Sequence, residues 1–126
     1  MAKRINPNER TDTLLPYSQG VMVEAGRTLY VSGQVGVNAD GTCPPEFAAQ
    51  AERAFVNLGG VLAAAGMDVE DIVRMTIYLT DPGDILRLRT IRGAFLGDHK
   101  PASTLLVVAG LARAEWKVEI EAVAAG

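Results

Sequence analysis

The chain has 126 residues, 48% of them apolar and 21% charged, with a formal net charge of −3 and a slightly positive mean hydropathy. That is one domain's length with enough apolar material for a core, which excludes wholesale disorder. The longest uncharged run, residues 54–67, falls short of the roughly 20 residues a membrane helix needs, and no block of like charge marks a polyanion binder.

Residues 20–25 read as a strand, Gly26-Arg27 as a tight turn and residues 28–31 as a second strand, together a hairpin. The segment Asn38 to Pro45 is dense in turn residues and leads toward a helix. From Phe47 the apolar residues fall at 47, 51, 54, 55, 58, 62 and 65, one helical stripe, with Gly66 placed to end the helix. Gly59-Gly60 inside that helix costs about 1 kcal/mol per glycine relative to alanine, which close packing against a strand would justify.

Ile72 to Leu79 is rich in β-branched residues and reads as strand. Asp81-Pro82-Gly83-Asp84 supplies a capping aspartate and a proline at the first helical position. Ile85, Leu88, Phe95 and Leu96 then form the stripe of a second helix. Residues 104–109 read as a strand, within which Leu105-Leu106-Val107-Val108 is apolar on both faces. Residues 116–124 alternate, with Lys117, Glu119 and Glu121 on one face and Trp116, Val118, Ile120 and Ala122 on the other.

This order predicts an α+β fold, one mixed sheet with two helices on a single face, as one domain over residues 1–126. The apolar stretch 105–108 then needs cover on its second face, and a homo-oligomer is the economical source.

MAKRINPNER at the start carries no apolar h-region, so no signal peptide is expected. A single cysteine, Cys43, and a single histidine, His99, give no internal disulfide and no zinc cluster. The expectation is a reduced, cytoplasmic protein with no metal, no cofactor, and neither nucleic acid nor membrane as partner. The glycine spacing gives no phosphate loop or dinucleotide fingerprint.

The candidate chemistry lies elsewhere. Glu119 and Glu121 approach the seam of any such oligomer, where a retained carboxylate needs a hydrogen bond, a cation or an acid–base role. A solvated or salt-bridged strand face is the alternative. On a helical wheel Arg92 falls near the apolar stripe, Arg89 on its flank, and Arg87 outward. Arg89 and Arg92 either snorkel from the core edge or grip a carboxylate beside a pocket. Gly33, in Ser32-Gly33-Gln34, invites close approach by a ligand or a neighbouring strand. His99 and Cys43 are assigned no role.

Several segments occur together in an informative order. They are Leu15-Pro16-Tyr17-Ser18-Gln19-Gly20, Val31-Ser32-Gly33-Gln34-Val35, Ala64-Ala65-Gly66, Asp71-Ile72-Val73 with Thr76, Pro101-Ala102, and Val118-Glu119-Ile120-Glu121-Ala122. In these the chain resembles the RidA (YjgF) family over essentially its whole length. The resemblance implies a chorismate-mutase-like subunit and a homotrimer with ligand clefts between subunits. It implies hydrolysis of enamines and imines, such as 2-aminoacrylate, to 2-keto acids and ammonia.

Carried onto this chain, Glu119 positions the water as the catalytic residue. Gly33 and Leu105 offer backbone contacts, and Tyr17 lines the cleft. The family's carboxylate-gripping arginine falls at Ser103, where Pro101-Ala102-Ser103-Thr104 departs from the family's Pro-Ala-Arg-Ser. A hydroxyl does not replace a bidentate charged pair. The departure points to a changed substrate, with Arg89 as a displaced cation for a carboxylate metabolite, or to a non-catalytic metabolite-binding or regulatory trimer. Ribonuclease action, a third reading, is disfavoured by the acidic chain.

Overall fold

The computed structural model describes residues 2–6, 16–24 and 26–126; Leu15 and Ala25 of the segments above lie outside them. Eight elements follow in order: β1 (Ala2–Ile5), β2 (Gly20–Val23), β3 (Thr28–Val35), α1 (Phe47–Ala64), β4 (Ile72–Leu79), α2 (Ile85–Leu96), β5 (Ala102–Val107) and β6 (Val118–Ala125). The expected class is present, two helices packed on a mixed sheet. Its strand order is β3-β6-β4-β5, with β6 antiparallel to β3 and β4, and β5 parallel to β4.

The expected hairpin is not present. β2 pairs antiparallel with β1 in a separate two-stranded ribbon, while β3 pairs with β6. A local turn signal at Gly26-Arg27 carries no information about a partner that lies 18 residues upstream or 90 downstream, and the non-local pairings win.

The helix boundaries follow the sequence closely. Of the α1 stripe, Phe47, Ala51, Ala54, Phe55, Leu58 and Leu62 are buried, and Gly66 takes the left-handed conformation (φ 72°) that ends the helix. The double glycine is not explained by a strand. A Cβ on Gly59 would meet Phe95 of α2 at 3.7 Å, and one on Gly60 would meet nothing. Asp81 accepts from the Gly83 N–H at 2.8 Å, capping a 3₁₀ turn that leads into α2. The buried row of α2 is Leu88, Arg92 and Leu96, so an arginine occupies the core-facing row, while Ile85 and Phe95 are only half-buried.

Register assigns each sheet residue to a face. Met75, Ile77 and Leu79 of β4 lie beside Ala122, Ile120 and Val118 of β6, and all six are buried beneath the helices. The reverse face carries Tyr78 beside Glu119, Thr76 beside Glu121, and Leu106 beside Tyr78. Among the described residues no helix covers it, and Tyr30 stands 78% and Leu106 43% exposed there. β6 begins at Val118 rather than Trp116, because the Trp116 N–H closes a turn onto the Arg113 carbonyl.

Candidate functional site

On the reverse face, the register of β3 against β6 slips between Val31 and Gln34, which lifts Ser32 and Gly33 out of the ladder. The slip brings the Gly33 backbone hard against the Glu119 carboxylate. A Cβ built on Gly33 would sit 1.7 Å from Glu119 Oε2. These two residues share a cavity of about 320 Å³ with Tyr78, Val108, Gly110 and Glu121.

The two glutamates differ in what holds them. Glu121 accepts a short hydrogen bond from the Tyr78 hydroxyl. That bond, with smaller contributions from desolvation and the carboxylate charges, raises the Tyr78 phenol above its ordinary 10.0. No described group donates a hydrogen bond to Glu119, whose carboxylate keeps its acceptor capacity for a water or a ligand.

On the helix-covered side, a cavity of about 550 Å³ opens between α2, the start of β5 and the Tyr17 segment. Ser18 holds that segment in place. Its N–H donates to the Pro101 carbonyl at 3.0 Å, and its hydroxyl donates to the Lys100 carbonyl in a short bond while accepting from Arg4 Nε at 3.0 Å. A parallel bridge between Ser18 and Ala102 lays the segment alongside β5, and Tyr17 reaches the cavity as a result. His99 Nε2 lies 2.7 Å from the Ile72 carbonyl; since the carbonyl only accepts, this nitrogen carries the hydrogen.

The same cavity is lined by Arg89, Arg92, Ser103 and Leu105. Arg92 is only 6% exposed. Burial first, and then the Arg89 charge, lower the pKa of its guanidinium, since both disfavour the charged form. Among the described residues no carboxylate lines this cavity, and none pairs with Arg92.

The six residues singled out in the sequence therefore fall into two groups. Tyr17, Arg89, Ser103 and Leu105 share one cavity; Gly33 and Glu119 share another. In the β4–β5 and β4–β6 registers Ser103 and Leu105 lie beside Met75 and Ile77 on the helix side, whereas Glu119 lies beside Tyr78 on the reverse. Sequence reasoning left His99 and Lys100 without a role, yet both line the larger cavity. Their position just before Pro101-Ala102 was the available signal. Cys43 is pushed to a higher pKa by burial and by Glu115, which makes it a poor nucleophile. Among the described residues no group of three potential ligands is placed to hold a metal ion. No described helix is long and apolar enough to cross a membrane.

The family model described as endoribonuclease L-PSP matches residues 8–126. The mouse 2-iminobutanoate/2-iminopropanoate deaminase is 36% identical over 124 residues, 97% of this chain and 90% of the relative. A Yersinia pestis protein of unknown function from the conserved Rid family, YyfB, superposes with a TM-score of 0.88 at 31% identity, covering 99% and 98% of the two chains. Escherichia coli TdcF with bound serine superposes with a TM-score of 0.75 at 33% identity, covering 88% of each chain.

Proposed function

The chain belongs to the endoribonuclease L-PSP family, the RidA/YjgF group, and from that premise we propose that it binds a small carboxylate metabolite in clefts between the subunits of a homotrimer and hydrolyses an enamine or imine other than 2-aminoacrylate. The observation that carries this reading is the division of the candidate residues between the two faces of one sheet. One copy cannot turn Glu119 and the Ser103 cavity toward the same small molecule; a neighbouring copy, laid on the uncovered reverse face, can. The exposed Tyr30 and Leu106 give that neighbour apolar surface to bury.

In the reaction, Glu119 of one copy accepts a proton from a water as its oxygen attacks the imine carbon. The proton passes to the nitrogen to give a carbinolamine; Glu119 then takes the proton of the new hydroxyl and delivers it to the nitrogen as the carbonyl forms and the carbon–nitrogen bond breaks, and a 2-keto acid and ammonia leave. Tyr17 of the adjoining copy lines the cleft with Leu105, whose backbone, like that of Gly33 beside Glu119, offers contacts to the ligand. Ser103 offers a single hydroxyl where the family has an arginine, so Arg89 takes over the grip on the carboxylate. The binding of serine by TdcF supports a ligand of amino-acid size.

The second reading, a metabolite-binding trimer without catalysis, is favoured by Ser103 itself. One experiment separates the two. Imines generated by an amino-acid oxidase are presented to the protein, and 2-keto acid release is followed. Wild type accelerates release, Glu119→Gln abolishes the acceleration with the assembly intact, and Arg89→Ala raises KM. Ligand binding with no acceleration for any imine establishes the binding module instead. A stable monomer by light scattering at micromolar concentration overturns both.

A further inference from the structure

Two carboxylates line the cavity on the reverse face, and the reaction uses one. Glu119 and Glu121 stand two residues apart on β6, about 7 Å between Cα atoms, and share the space of about 320 Å³ with Gly33 and Tyr78. Flexible carboxylates at that spacing compete for the same water and the same proton, and where two share a site one of them is held protonated. A base in that state takes no proton. The third acid–base group on the wall is Tyr78, the cross-strand partner of Glu119. Its hydroxyl donates instead to Glu121, the diagonal neighbour, which long side chains reach across a sheet. A phenol has one proton to give, so the choice is exclusive. The other charged or titratable side chains on this face, among the described residues, are Arg74 of β4 and Tyr30 of β3; β5 brings none.

We propose that Tyr78 is a positioning residue of this site: by holding Glu121 it leaves Glu119 as the carboxylate free to take a proton from the attacking water. This rests on the reading of Glu119 as the base and adds the group that keeps it available. The bond from Tyr78 to Glu121 is charge-assisted, the stronger kind, and it fixes both the rotamer and one acceptor oxygen of Glu121. Without it Glu121 becomes a second mobile carboxylate facing the same water. Phenylalanine at this position keeps the ring beside Leu106 and removes only the proton that does the holding.

The test compares full-length wild type, Tyr78→Phe and the double variant Tyr78→Phe with Glu121→Gln. Glutamate is labelled with carbon-13 at the side-chain carboxyl, and the Glu119 resonance, identified by its loss in Glu119→Gln, is followed through acid pH; this requires no turnover. In Tyr78→Phe the Glu119 carboxyl is expected to titrate about one pH unit higher than in wild type, because it now shares a proton with Glu121. The double variant, which has no second carboxylate, should return it to the wild-type position or below. For any imine the wild type hydrolyses, the acid limb of kcat/KM should move and return in the same way, a loss of about tenfold on that limb and its rescue. A merely structural tyrosine predicts an equal loss at every pH, with no rescue from Glu121→Gln. An unmoved Glu119 titration in Tyr78→Phe overturns the proposal, as does a shift that survives in the double variant. Hydrolysis that needs Glu119 but is indifferent to Tyr78→Phe at every pH also overturns it and leaves the general reading standing. A shifted and rescued titration in a protein that hydrolyses no imine removes the enzyme and upholds the hold of Tyr78 on the pair.

Discussion

Replacing Gly33 by alanine tests the candidate site most directly. The added Cβ would lie 1.7 Å from Glu119 Oε2, 2.6 Å from Cδ and 2.9 Å from Cγ. Contacts below 3.0 Å are not tolerated, so the carboxylate must retreat by more than about 1 Å. Its side chain is flexible and half-exposed, and the backbone need not move, so the fold should lose no more than about 1 kcal/mol. Misplacing a reacting group by about 1 Å costs on the order of 100-fold in rate, or about 2.7 kcal/mol of transition-state stabilisation. Gly33→Ala should therefore fall about 100-fold in kcat/KM for any imine the wild type hydrolyses, with its urea midpoint nearly unchanged. Gly36→Ala is the matched control. Its Cβ would lie 2.5 Å from both the Cα and the carbonyl oxygen of Gln50, and a helix backbone cannot step aside as a carboxylate does. That variant should lose about 1–3 kcal/mol of stability with the site chemistry preserved in whatever fraction folds. Equal rates for wild type and Gly33→Ala would refute the role of Glu119, and a large stability loss at Gly33 would refute the steric argument.

Three further outcomes follow from particular contacts. Gln50 is fully buried; its Nε2 donates to the Pro44 and Glu115 carbonyls at 2.8 and 2.9 Å, and its Oε1 accepts from the Lys117 N–H at 2.8 Å. Gln50→Leu strands all three and should cost about 3 kcal/mol in a urea titration; a change under about 0.5 kcal/mol would show that water replaces them. The Tyr78 phenol is raised in the fold chiefly by its hydrogen bond to Glu121. Such a group stabilises fully below its unfolded value near 10.0 and loses that contribution as pH climbs through the higher folded value, so wild type should lose stability relative to Tyr78→Phe in that alkaline range alone. A difference that instead appears on acidification would contradict the assignment. Because Ser103 stands where the family has an arginine, 2-aminoacrylate should be hydrolysed about 10–150-fold more slowly than by a relative that keeps it, in a coupled dehydratase assay. Comparable rates would mean that Arg89 or Arg92 serves a single carboxylate equally well.

Helix α1 and strand β4 were legible because each is governed by local periodicity, and the capping residues Asp81 and Gly66 marked their neighbours. The true partners of β2 and β3 were not legible, because they are set by the ribbon with β1 and by the long-range pairing of β3 with β6 rather than by the local turn. The position of Arg92 on the core row of α2 could be read from the wheel, but the cavity beside it could not. One wall of that cavity is set by a long-range contact, the bridge from Ser18 to Ala102 that lays Tyr17 beside the start of β5. Family resemblance supplied Glu119 and Ser103 as positions, and it is the sheet register that puts them on different faces.

That placement has a genetic reading. In the proposed trimer each cleft takes Glu119 from one chain and Arg89 and Arg92 from another, so a lesion in either half is not confined to the chain that carries it. Two inactivating alleles, one at Glu119 and one in the half that holds Arg89, would rescue one another when co-expressed, since about one quarter of clefts in a randomly mixed assembly draw both halves intact. Two different lesions within the same half would never complement. Inheritance in a mixed population would thus sort mutations by the face of the sheet they alter.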